Sequence, residues 1–201
     1  MIKKIVLLLF IFLISILFSG CDYSSSIDKA SIVQMITVEK SDDKSNQKFN
    51  YTFFLLNGSD KNSKVSINAN SLNQACALAQ KKYIPNVTLS KFELFVVNEN
   101  LYKDILKKDL YYMSSQYSIS PCVYVTLCTD GYLEFLSEAD DAVKQTESSI
   151  MLLKNNISDS NINSLSIFNS INSTDCGTIC MSCINSNKEV NEKYIDFLII
   201  K

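Results

Sequence analysis

The sequence predicts an α/β (α+β) fold, a single domain with a central mixed β-sheet flanked by helices, behind a cleaved export segment. Three observations carry that prediction. Short runs rich in Val, Ile, Phe and Tyr alternate along the chain with segments whose apolar residues recur every three or four positions, the mixture that lays helices on one sheet. Residues 92–97 (Phe-Glu-Leu-Phe-Val-Val) are almost continuously apolar, as a strand covered on both faces must be. Finally, Lys3 and Lys4 precede an apolar stretch over 5–18 broken only at Ser15, the charged and apolar regions of a secretory signal.

That apolar stretch spans roughly 21 Å as a helix, short of the ~30 Å hydrocarbon core of a bilayer, so it reads as a signal rather than a transmembrane anchor. It ends in Leu17-Phe18-Ser19-Gly20-Cys21, where small side chains at the two positions before a cysteine give a peptidase room to cut. The pattern resembles the bacterial lipobox, which predicts removal of residues 1–20 and acylation of Cys21, with 21–30 as a polar tether. Two or three acyl chains, each CH2 contributing ~0.8 kcal/mol of partitioning, would hold the mature chain on the extracytoplasmic face of a membrane.

Within the domain, taken as 31–192, strands are expected at 32–38 and 49–56 (Phe-Asn-Tyr-Thr-Phe-Phe-Leu-Leu), joined across the charged segment 40–48 and paired antiparallel. Residues 64–68 form a short edge strand. Asn70 or Ser71 can cap a helix whose apolar side is Leu72, Ala75, Cys76, Ala79 and Tyr83. Lys81 and Lys82 suit its last turn, and Pro85 stops it. After the strand at 92–97, a helix over 101–115 places Ile105, Leu106, Leu110 and Met113 inward and Lys103, Lys107 and Lys108 outward. A strand at 122–128 (Cys-Val-Tyr-Val-Thr-Leu-Cys) follows, then helical sequence over 130–155 with an acidic bend at 138–141. A helix at 162–171 and strands at 178–184 and 194–200 complete the series, the residues 193–201 serving as a last strand or the opening of a further domain.

Composition removes several function classes. The net charge is −2, every basic residue is Lys, and the charges are spread along the chain, so nothing in the sequence marks a nucleic-acid partner. There is no His, hence no Ser/His/Asp or Cys/His constellation, and both the commonest general base near neutral pH and the commonest metal ligand are missing. The four glycines, Gly20, Gly58, Gly131 and Gly177, form no phosphate loop. Asp130, Glu134, Glu138, Asp140 and Asp141 could pair carboxylates for acid–base chemistry, but their helical spacing reads first as a solvated face. No catalytic residue, cofactor or metal site is expected.

The cysteines leave alternatives open. Cys176, Cys180 and Cys183 have the C-x3-C-x2-C spacing of a cluster-binding loop, yet on a strand Cys180 and Cys183 would point to opposite faces. A disulfide within these three is the other reading. Cys76, Cys122 and Cys128 are expected as small buried hydrophobes, the last two on one side of a strand about 20 Å apart.

With these elements in place, Cys21-Asp22, then Ile27-Asp28-Lys29-Ala30-Ser31-Ile32-Val33 and Ile36-Thr37-Val38-Glu39, resemble the start of the C subunits of spore germinant receptors, the Ger(x)C lipoproteins. The likeness continues through Tyr51-Thr52-Phe53, the helix at 71–82, the strand at 92–97, the helix at 101–110, the strand at 123–127, Tyr132-Leu133-Glu134-Phe135-Leu136 and the segment 148–153. Residues 193–201 resemble the strand that opens that family's second domain. Because family members are about twice as long, the resemblance covers their N-terminal domain alone, as a shortened relative or a truncated reading frame. It implies a non-enzymatic, lipid-anchored subunit on the spore inner membrane that works with membrane-embedded receptor subunits in nutrient-triggered germination. Two other classes compete: a solute- or peptide-binding lipoprotein, which would show an aromatic-lined pocket, and a cluster enzyme on Cys176, Cys180 and Cys183.

Overall fold

The computed structural model describes residues 31–41, 48–56, 64–82, 86–138, 141–156, 163–173 and 176–198. The segments expected as export signal, lipobox with Cys21 and tether, together with Tyr83, expected on the helix's apolar side, and Pro85, expected to stop it, lie outside the described residues. β1 (Ser31–Lys40) and β2 (Phe49–Leu55) pair antiparallel, and β3 (Lys64–Ala69) adds to β2 at the sheet edge. These are the three strands and the hairpin that alternation predicts.

α1 (Leu72–Lys82) then begins where Ser71 Oγ accepts the Gln74 N–H at 3.3 Å and Gln74 Oε1 accepts the Asn70 N–H at 2.8 Å. Both predicted capping positions are thus engaged, with Ser71 satisfying one of the helix's orphan donors. The two-residue strand β4 (Val87–Thr88), which no periodicity could reveal, pairs parallel with Ser31 and Ile32. β5 (Leu94–Asn98), α2 (Tyr102–Ser115), β6 (Tyr124–Cys128), α3 (Asp130–Glu138), α4 (Ala142–Asn156), α5 (Ser164–Ser173), β7 (Cys176–Ile184) and β8 (Val190–Leu198) follow in order.

The main sheet runs β3-β2-β1-β5-β6-β7-β8, with β4 off this path on β1. Its middle is parallel (β1, β5, β6, β7) and its edges are antiparallel hairpins, so the sheet is mixed as expected. β8 pairs with β7 at nine successive positions, placing the described part of 193–201 in this sheet. All five residues of β5 are buried, as an apolar strand between two parallel neighbours requires.

Two cores sandwich the sheet. The larger joins Phe53, Phe95, Val97, Val125 and Met181 of the strands to α1, α2 and α5 through Leu72, Ala79, Ile105, Leu110 and Ile167. The smaller joins Met35, Leu94, Val96 and Ile184 to α3 and α4 through Tyr132, Leu136, Ile150 and Leu153. Each fully buried Phe or Leu contributes about 1.5–3 kcal/mol of transfer free energy, so both layers are needed to offset chain entropy.

One expectation fails. Cys122 is exposed, not buried, because the turn at Pro121 and Cys122 delays β6 until Tyr124. Pro121 has no N–H to give a ladder, and its carbonyl is taken instead by Ser164 Oγ at 3.1 Å.

Candidate functional site

The chain leaves β5 for α2 on one face and leaves β6 for α3 on the other. Such divergence opens a crevice at the carboxyl ends of parallel strands, the usual ligand position in open α/β sheets. Here the crevice is about 550 Å³, lined by Glu39, Lys40, Asn98, Leu101, Asp130 and Glu134 among others. Asn98, the last residue of β5, is buried; its Nδ2 donates to Asp130 Oδ1 and its Oδ1 accepts the Asn100 N–H at 2.9 Å. Glu39 Oε1 accepts from Asn50 Nδ2 at 2.8 Å. Asp130 sits in the first turn of α3, where the helix dipole favours a carboxylate. Gly131 is required beside it, because a Cβ there would lie 2.9 Å from Cβ of Ser186 in the β7–β8 turn.

The crevice can accept hydrogen bonds and attract cations, but its acids do not converge. Among the described residues, no three His, Cys, Asp or Glu side chains gather as metal ligands. Its described lining is polar and aliphatic, with Leu101 and Leu133 beside Asn98, Asn100 and Ser137. The acidic helix spacing therefore places Asp130 and Glu134 together on the crevice wall, both exposed, while Glu138 is exposed at the end of α3.

A polar site that sequence reading missed lies under the other face. Asp109 of α2 is 0% exposed, and its two carboxylate oxygens accept the Tyr51 hydroxyl at 2.8 Å and the Leu72 N–H at 2.9 Å. Burial pushes its carboxyl up to about 6, against the lowering effect of those two donors and of Lys108. The network ties β2, the start of α1 and α2 together. The signal for it existed, since Asp109 stands four residues from both Ile105 and Met113 on the apolar stripe of the helix. Beyond it a second cavity of about 360 Å³ opens between α1, β4 and α2, where Cys76 and Tyr112 meet. Burial pushes the Cys76 thiol up to about 12.

The cysteines form no joint site in the described structure. Cys183 and Met181 lie in the larger core, whereas Cys180, one residue out of phase, stands on the other side of β7 beside Glu192. Both are free thiols, so of the two readings left open for Cys176, Cys180 and Cys183 a bridge between Cys180 and Cys183 is not formed; opposite-facing neighbours on one strand cannot reach each other. The Cys176 side chain lies outside the described positions. Cys128 is a buried free thiol and Cys76 a half-buried one, in line with packing rather than chemistry. No helix among the described residues is long and apolar enough to cross a membrane.

Comparison with known proteins adds the family. The model of the spore germination protein N-terminal domain matches residues 23–181, most of the chain, from just after Cys21 into β7. No curated protein and no solved structure matches. The match runs from before β1 to within β7 and takes in all five described helices, covering the segments from 27 to 153 that resemble germinant receptor C subunits but not residues 193–201. By that match the chain belongs to the spore germination protein N-terminal domain family, the N-terminal domain of germinant receptor C subunits.

Proposed function

We propose that the chain acts as the lipid-anchored C subunit of a spore nutrient germinant receptor, docking without catalysis to membrane-embedded partner subunits. The observation that carries this is positional: the family match opens at residue 23, two residues past the lipobox Cys21, behind a charged and apolar export segment. A diacylated Cys21 followed by a short polar tether would keep the domain beside its partners on the extracytoplasmic face of the spore inner membrane. Confinement of that kind raises effective concentration without any new contact. The sheet then supplies a rigid body whose loops and helical faces present docking surfaces.

The test is to express wild type and Cys21→Ala in the sporulating host with labelled palmitate. Label should enter wild type alone, and spores carrying only Cys21→Ala should lose most of their response to nutrients. Unlabelled wild type would remove the anchor from this reading. Normal nutrient germination after deletion of the gene would remove the receptor role.

A further inference from the structure

Charges that lie scattered along the sequence are sorted by the fold. The helices on the larger core, α1, α2 and α5, carry five lysines against two aspartates, and one of these, Asp109, is buried. The helices on the opposite face, α3 and α4, carry four acids against two lysines. A chain of net charge −2 therefore has one cationic helical face.

On α2, Lys103, Lys107 and Tyr111 recur at four-residue spacing and are all exposed, forming one outward stripe. Tyr111 keeps 66% of its surface in solvent and lies 6.3 Å, ring to ring, from Phe168 of α5. Leu165 of α5 is 44% exposed, and Tyr117, just beyond α2, is fully exposed. Lysine and tyrosine share an apolar body with a polar tip, which suits the headgroup zone of a bilayer, and lysines near it are drawn to anionic lipid. A nucleic acid would ask for a longer run of cations without large apolar side chains among them. An acidic protein surface would leave Tyr111 and Leu165 without apolar cover.

We propose that the α2–α5 face rests on an anionic lipid surface, with Lys103 and Lys107 among the headgroups and Tyr111 and Leu165 at their acyl boundary. This goes beyond anchoring through Cys21. A lipid on Cys21 fixes where the domain is held, whereas this face fixes which side it turns to the membrane. Acidic α3 is then turned away from the anionic surface.

The chain has no Trp, so Tyr111→Trp makes a single reporter on this face and Met151→Trp, at an exposed position of α4, makes one on the other. Each full chain is floated with vesicles of brominated phosphatidylcholine, with or without about one-third phosphatidylglycerol. The expected result is quenching at position 111 several-fold stronger than at 151, in anionic vesicles only. It should be lost in about 1 M salt, where the screening length is ~3 Å, and cut roughly tenfold by Lys103→Glu with Lys107→Glu. Equal quenching at 111 and 151, equal quenching in neutral vesicles, or indifference to charge reversal overturns the proposal. Flotation without quenching at 111 spares the lipid anchor and sinks this face. Flotation with anionic vesicles alone, with position 111 quenched, spares the face and counts against the anchor; no flotation with either vesicle sinks both.

Discussion

The two faces of the sheet bury their tyrosine hydroxyls in different ways. Under the larger core, Tyr51 of β2 gives its proton to a carboxylate, Asp109, which has no exposed surface. Under the smaller core, Tyr132 of α3 meets a neutral hydroxyl, Ser149, at 2.6 Å. Ser149 Oγ spends its own proton on the Gln145 carbonyl at 2.7 Å, so Tyr132 is the donor in that pair. Both hydroxyls are paired, yet only one pairing stores charge in a water-free layer. A buried charge costs more to keep and more to break than a neutral pair of the same geometry. The larger core should therefore respond to pH and the smaller should not.

The largest effect expected from this contrast is a pH dependence of stability carried by Asp109. Its folded-state value of about 6 lies above the ordinary carboxylate value of 3.8, so the folded protein takes up a proton that the unfolded chain does not. The stabilising contribution is complete below about pH 4 and is lost as pH rises through about 6, roughly 3 kcal/mol in all at 1.36 kcal/mol per unit. Urea unfolding of wild type and Asp109→Asn across this window tests it, since the difference between them cancels every other titrating group. The gap between the two should change by about 3 kcal/mol from pH 4 to pH 7.5. A constant gap would mean that Asp109 is solvated or paired more strongly than its two donors allow.

Next in size is the contrast between the two tyrosines. Tyr51→Phe removes one of the two donors holding a buried carboxylate and should cost about 2 kcal/mol at neutral pH, because hydrogen bonds to charged groups are the stronger kind. It should also steepen the pH dependence, since that donor lowers the Asp109 value. Tyr132→Phe leaves Ser149 bonded to Gln145 and should cost about 1 kcal/mol, with no change of slope. Equal losses at pH 7 and equal slopes would erase the distinction between the faces.

What the sequence disclosed and what it hid follow the same division. Apolar periodicity located β1, β2, β3, β5 and every described helix, because burial acts on each element's own spacing. It could not find β4, whose two residues gain strand geometry only from β1. Nor could it place Cys122, where the turn at Pro121 overrides a run that alternates correctly. Asp109 hid behind its charge. Next to Lys107 and Lys108 it reads as solvated, and only the donors brought by Tyr51 and Leu72, distant in sequence, make its burial tolerable. The crevice was not legible: the spacing of Asp130 and Glu134 set them on one side of a helix but read first as a solvated face, and Asn98 and Glu39 join them only through parallel pairing of β1, β5 and β6.

The smallest effect tests the contrast from its exposed side. Lys193 of β8 forms an ion pair with Glu99, in the turn between β5 and α2, and joins the last strand to the middle of the sheet. The hydrogen bond to Glu99 is also the first cause of the raised value of the lysine, so its contribution would be present at neutral pH and lost only in strong alkali. Geometry alone would rank this link beside the Asp109 network. Its side chains, however, are 41% and 26% exposed, and water screens such pairs to between 0.2 and about 1 kcal/mol. Lys193→Met keeps the stem packed and removes only the charge. It should lower stability by less than about 1 kcal/mol, and the loss should shrink further in about 1 M salt, where Asp109→Asn keeps its full effect. A salt-resistant loss of 2 kcal/mol or more, on the scale of ~3 kcal/mol expected for buried pairs, would show that β8 seals Glu99 from water and that charge is stored at the sheet edge as well as beneath it.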